Sequence, residues 1–156
     1  MGIKDAFSAD EWKNLLSLPY AVGMTIIIVS PQGPMGMYKE TKEMALEPAK
    51  LASTSGSGLV STLSVELQQQ AKELMKEQQN LFKQNQANYK NLTIEACKSA
   101  ASTLSKTTAD EAKAYKQWVL NLGQKVAEAA KEGGVAVTDQ EKAALNEISV
   151  ALGLSA

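Results

Sequence analysis

Apolar residues recur along this chain at helical rather than strand spacing, and nearly every predicted element is a helix. Trp12, Leu15, Leu16 and Val22 share one face of a first helix, which then turns apolar almost all round from Met24 to Val29. No charged residue occurs from Asn14 to Tyr38. A segment with no side that prefers water is expected in the centre of a core. Its uninterrupted apolar part is too short for a membrane span of roughly 20 residues, and Pro19 and Gly23 break it further. Pro19 predicts a kink or break near Leu18. The run Thr25-Ile26-Ile27-Ile28-Val29 also carries strand propensity, with Val135-Ala136-Val137 as its one candidate partner. An isolated pair of strands is marginal in water, which favours helix.

Ser30-Pro31-Gln32-Gly33-Pro34 predicts a turn, with Pro34 opening the next helix. Met37, Tyr38, Thr41, Met44, Pro48 and Leu51 then repeat at helical spacing up to a hinge at Ser53-Thr54-Ser55-Gly56-Ser57-Gly58. The two segments read as a helical hairpin. Pro48 is expected to bend or interrupt its second arm by removing an amide and crowding the Met44 carbonyl.

From Leu59 to Leu122 there is neither Gly nor Pro. A stripe runs through Val60, Leu63, Leu67, Ala71, Leu74, Leu81, Tyr89, Leu92, Ala96, Ala100 and Leu104. One helix over 59–106 would be about 70 Å long at 1.5 Å per residue, which favours a break between Asn85 and Asn91 with Thr93 capping the new helix. A further helix from Ala109 to Lys131 carries Ala112, Tyr115, Trp118, Val119, Leu122, Val126 and Ala129, and ends at Gly133-Gly134. The last, Asp139 to Leu152, turns Ala144, Leu145, Ile148, Ala151 and Leu152 inward and stops at Gly153.

Three helix starts carry the same device, a hydroxyl residue followed three positions later by Glu: Ser8 with Glu11, Thr108 with Glu111, and Thr138 with Glu141. In such a capping box the hydroxyl accepts the third amide of the helix and the carboxylate reaches back to the cap amide. Phe7 and Trp12 stand where a hydrophobic staple would fix the first of these entries. The expected fold is all-α, an antiparallel helical bundle of five or six helices with a Pro-kinked N-terminal hairpin, in one domain over residues 1–156.

Composition narrows the chemistry. The sixteen basic residues are all lysine, and there is no histidine. The commonest general base and metal ligand is therefore missing, as is the planar fork that grips phosphate and carboxylate. With the lone Cys97, no zinc, haem or di-iron site of the usual kind can be assembled, and no metal or cofactor is expected. Asp10, Glu11, Asp110, Glu111, Asp139 and Glu141 all lie in first helical turns, where capping accounts for them. Thr103-x-x-Lys106 is the nearest approach to a hydroxyl–lysine nucleophile, and Ser55-Gly56-Ser57-Gly58 lacks the lysine of a phosphate loop. A net charge of −1 supplies no field to attract nucleic acid or an anionic membrane. The N-terminus shows neither an apolar signal core nor a complete myristoylation motif, and the expected address is cytoplasmic.

Phe7-Ser8-x-Asp10-Glu11-Trp12-x-x-Leu15-Leu16-x-x-Pro19, Ser30-Pro31-x-Gly33-Pro34-x-Gly36 and Glu141-Lys142-Ala143-Ala144-Leu145-x-Glu147-Ile148 together resemble segments of small uncharacterised bacterial all-helical proteins. The resemblance implies a bacterial helical protein and brings no site residues with it. The leading expectation is a non-enzymatic protein-interaction module that can self-associate. Two contact surfaces are candidates: the uncharged turn of Ser30, Gln32, Gly33, Met35 and Gly36, and the seam of Leu67, Leu74 and Leu81 at seven-residue intervals on the glutamine-rich helix. One alternative is a carrier holding a small apolar ligand between the first two helices, lined by Met24, Met37 and Met44. The other is a protein that lays its uncharged hairpin on a membrane surface.

Overall fold

A computed structural model describes residues 3–29, 48–53, 55–129 and 139–154. Among them the chain is all-α, with no strand. The helices are α1 (Ala9–Val29), α2 (Gly58–Gln84), α3 (Tyr89–Thr103), α4 (Ala109–Ala129) and α5 (Asp139–Ala151), with short 3₁₀ turns at Ile3–Ala6 and Leu104–Lys106. Residues 48–53 are also helical. The expected second arm of the hairpin otherwise lies outside the described residues, as does the candidate strand at 135–137. The β-branched run 25–29 closes α1 as helix, which satisfies its backbone within the segment and needs no partner strand.

α1 is the hub, packing against each of α2, α3, α4 and α5. It is the one described helix long and apolar enough to cross a membrane, yet 72% of its most apolar stretch is buried inside the chain. Leu15, Tyr20, Val22 and Ile26 have no exposed surface at all. Each such aliphatic side chain contributes about 2 kcal/mol of burial free energy, which makes the core the destination of this segment.

Pro19 sits inside α1. Having no N–H, it leaves the Leu15 carbonyl without its intrahelical donor. The hydroxyl of Tyr115, from α4, donates to that carbonyl at 2.7 Å. The lost backbone bond is thus replaced by an interhelical one, and the replacement fixes the register of α4 on α1.

The entry to α1 follows the sequence expectation. The Ser8 amide donates to Glu11 Oε1 at 2.8 Å, the Glu11 amide donates to Ser8 Oγ at 3.2 Å, and the Phe7 and Trp12 rings lie 5.8 Å apart. At α4 only half of the box closes. The Glu111 amide donates to Thr108 Oγ1 at 3.2 Å, but the Glu111 carboxylate instead accepts the Leu59 amide at 2.6 Å. Ser57 accepts the Val60 amide at 3.1 Å, so the first turn of α2 is capped by one residue of its own and one from α4. Gly56, at φ 71°, supplies the left-handed turn ahead of that cap. The third box begins at Thr138, outside the described residues, and Glu141 within it is fully buried.

α2 and α3 are separate helices. Asn85 Nδ2 donates to the Leu81 carbonyl at 3.0 Å, and the Asn85 and Asn88 amides continue the chain through a turn. Amide side chains compete with the helical backbone in this way, which explains the break. The new helix starts at Tyr89 after Asn88. Thr93 is therefore not its cap, as expected from sequence, but a buried residue in its second turn.

α4 and α5 close the core from the other side. At Gly123 α4 packs tightly on both neighbours: a Cβ there would stand 2.9 Å from Leu145 Cδ2 and 3.0 Å from Val22 Cγ1. α5 ends at Gly153, φ 83°, where the Leu154 amide donates to the Ser149 carbonyl and the Gly153 amide to that of Val150. These two bonds are a Schellman cap.

Candidate functional site

α2 and α3 both pack on α1 and meet each other through Gln78, Phe82 and Tyr89, leaving a cleft in the wedge between them. α1 supplies Asn14, Ser17, Leu18 and Ala21, α2 supplies Gln78 and Leu81, and α3 supplies Tyr89, Leu92, Thr93 and Ala96. The volume is about 120 Å³. Drug-sized ligand pockets begin near roughly 300 Å³, whereas an engineered cavity of roughly 150 Å³ holds one benzene. The cleft is thus the size of a single side chain.

Its polar groups are held from behind. Tyr89 donates its hydroxyl to Gln78 Oε1, Thr25 Oγ1 exchanges a hydrogen bond with Thr93 Oγ1 at 2.8 Å, and Asn14 Nδ2 donates to the Ala96 carbonyl at 3.2 Å. Burial pushes the Tyr89 phenol above its usual range, with the neighbouring Thr93 hydroxyl pulling the other way. The hydroxyl is neutral at physiological pH. No wall residue is charged. Gln78 accepts from Tyr89, while its amide N–H groups donate to no described residue. Leu81 stands on the rim, 37% exposed.

The residues expected to form a leucine seam separate here. Leu67 and Leu74 are 1% and 2% exposed inside this chain's own core, which corrects their assignment to an outward surface. Amphipathic α2 needs that stripe to dock on α1, so it is not left over for a partner. Leu81 alone of the three is open. Ser30, Gln32, Gly33, Met35 and Gly36 lie outside the described residues, as do Met37 and Met44. Met24 is buried in the core and lines none of the described depressions.

A wider groove of about 500 Å³ runs between α1 and α2 past Trp12, Gln70 and Glu73. Its charges are largely matched within the chain. Lys4 pairs with Glu66 at 2.7 Å and stands 5.5 Å over the Trp12 ring, whose indole N–H also donates to Glu66, and Lys13 pairs with Glu77 at 3.3 Å. Partial burial raises the Glu66 pKa, but the hydrogen bonds from Lys4 and Trp12 outweigh it and leave the carboxyl below its ordinary value.

The nucleophile candidates are engaged or inert. Lys106 lies 2.7 and 2.8 Å from the two Glu11 oxygens, bound there rather than to Thr103. Burial pushes the Cys97 thiol up to about 12, so it is neutral at physiological pH. Tyr20 is fully buried, and its hydroxyl has no partner among the described residues. Burial raises its pKa to about 12. Among the described residues no group of three or more Cys, Asp or Glu could hold a metal ion.

Fold and site together define an all-α chain organised around one buried helix, with a small uncharged cleft at the junction of three helices. Comparison with family models, curated proteins and solved structures gave no match.

Proposed function

We propose that this chain is a non-enzymatic helical protein-interaction module whose cleft between α2 and α3 receives one uncharged group the size of a side chain. The observation that carries this reading is Leu81, an exposed leucine on the rim of a cleft with no charged wall residue. An aromatic or aliphatic side chain seated in a pocket is one way a protein contact is anchored. The same reading takes the helices as an antiparallel bundle with a Pro-kinked N-terminal hairpin, in a bacterial cytoplasmic protein. To test it, wild type, Leu81→Glu and the cleft-filling Ala96→Leu are compared by affinity co-purification from the native host, with circular dichroism to verify folding. A partner held by wild type and lost by both variants is expected. A partner held equally by all three overturns the role of the cleft.

A carrier function is the second reading, and the buried Gln78, Tyr89 and Thr93 favour placing it in this cleft rather than among the methionines. Its ligand would be a neutral molecule no larger than benzene. The membrane-surface reading has less support, because α1 turns its apolar surface inward.

A further inference from the structure

We draw no further inference here: the strongest candidate, the groove between α1 and α2 lined by Phe7, Trp12 and Leu16, carries nothing, because Lys4 and Lys13 are already paired with Glu66 and Glu77 and nothing in the structure shows what covers it.

Discussion

α1 and α4 open on nearly the same sequence, Ser8-Ala9-Asp10-Glu11-x-Lys13 and Thr108-Ala109-Asp110-Glu111-x-Lys113, one hundred positions apart, yet the two carboxylates do different work. Glu11 closes its own box and is held by Lys106. Glu111 leaves its box to cap α2 at Leu59. Each helix also buries a tyrosine completely, Tyr20 in α1 and Tyr115 in α4. The Tyr115 hydroxyl replaces a backbone bond that Pro19 removes, while the Tyr20 hydroxyl meets no described partner. The same local signal therefore acts locally in one helix and across the fold in the other, according to which unsatisfied backbone group lies within reach.

The largest expected effect is at Tyr115. Tyr115→Phe should cost about 1–3 kcal/mol in urea unfolding, because a buried carbonyl loses its donor. The cost should shrink in a Pro19→Ala background, where residue 19 can again donate to Leu15. An equal cost in both backgrounds would break the proposed compensation. Tyr20→Phe should move stability the opposite way, raising it by up to about 1 kcal/mol, since the hydroxyl it removes is buried with no partner among the described residues. Gly123→Ala should destabilise by about 1–2 kcal/mol, as overpacking against Leu145 and Val22 exceeds the helix-propensity gain.

The carboxylates give the sharper, smaller comparison. Glu111→Gln should cost about 1 kcal/mol by weakening a cap that joins two helices. Glu11→Gln should shift the urea midpoint less, because its contacts are solvent-exposed. The hydrogen bond from Lys106 holds the Glu11 carboxyl below its ordinary value of 4.5. A depressed carboxylate stabilises the fold fully above that value and ceases to do so as the pH falls through the folded pKa. The urea midpoint should thus fall on acidification below pH 4.5, and Lys106→Met should flatten that fall while raising the Glu11 pKa measured by carboxyl NMR. An unchanged slope in Lys106→Met would show that Lys106 is not the cause.

Much of the fold was legible because helix period, capping boxes and Gly153 are local signals, and each constrains its own turn. The site was legible only in part. Leu81 stood out as the last leucine of the seven-residue seam, but Asn14, Gln78 and Thr93 were missed because their contacts come from other helices: Asn14 meets Ala96, Gln78 meets Tyr89, and Thr93 meets Thr25. A usable signal existed, since Gln78 and Thr93 are polar residues in core-facing positions of α2 and α3, where an apolar residue would be expected. Heptad spacing alone could not separate a stripe that docks on α1 from one left for a partner, and so Leu67 and Leu74 were placed on the wrong side.

By itself, the chain's pattern of apolar and polar residues determined that it is helical, where most helices begin, and that α1 must be buried. These outcomes depend on backbone bonding and hydrophobic period within a few turns. Tertiary structure alone decided which carbonyl Tyr115 would satisfy, which helix Glu111 would cap, and that α2 and α3 would splay over α1 to leave an uncharged cleft beside Leu81. Those depend on groups tens of residues apart meeting in space, and nothing in the local period encodes which of them will meet.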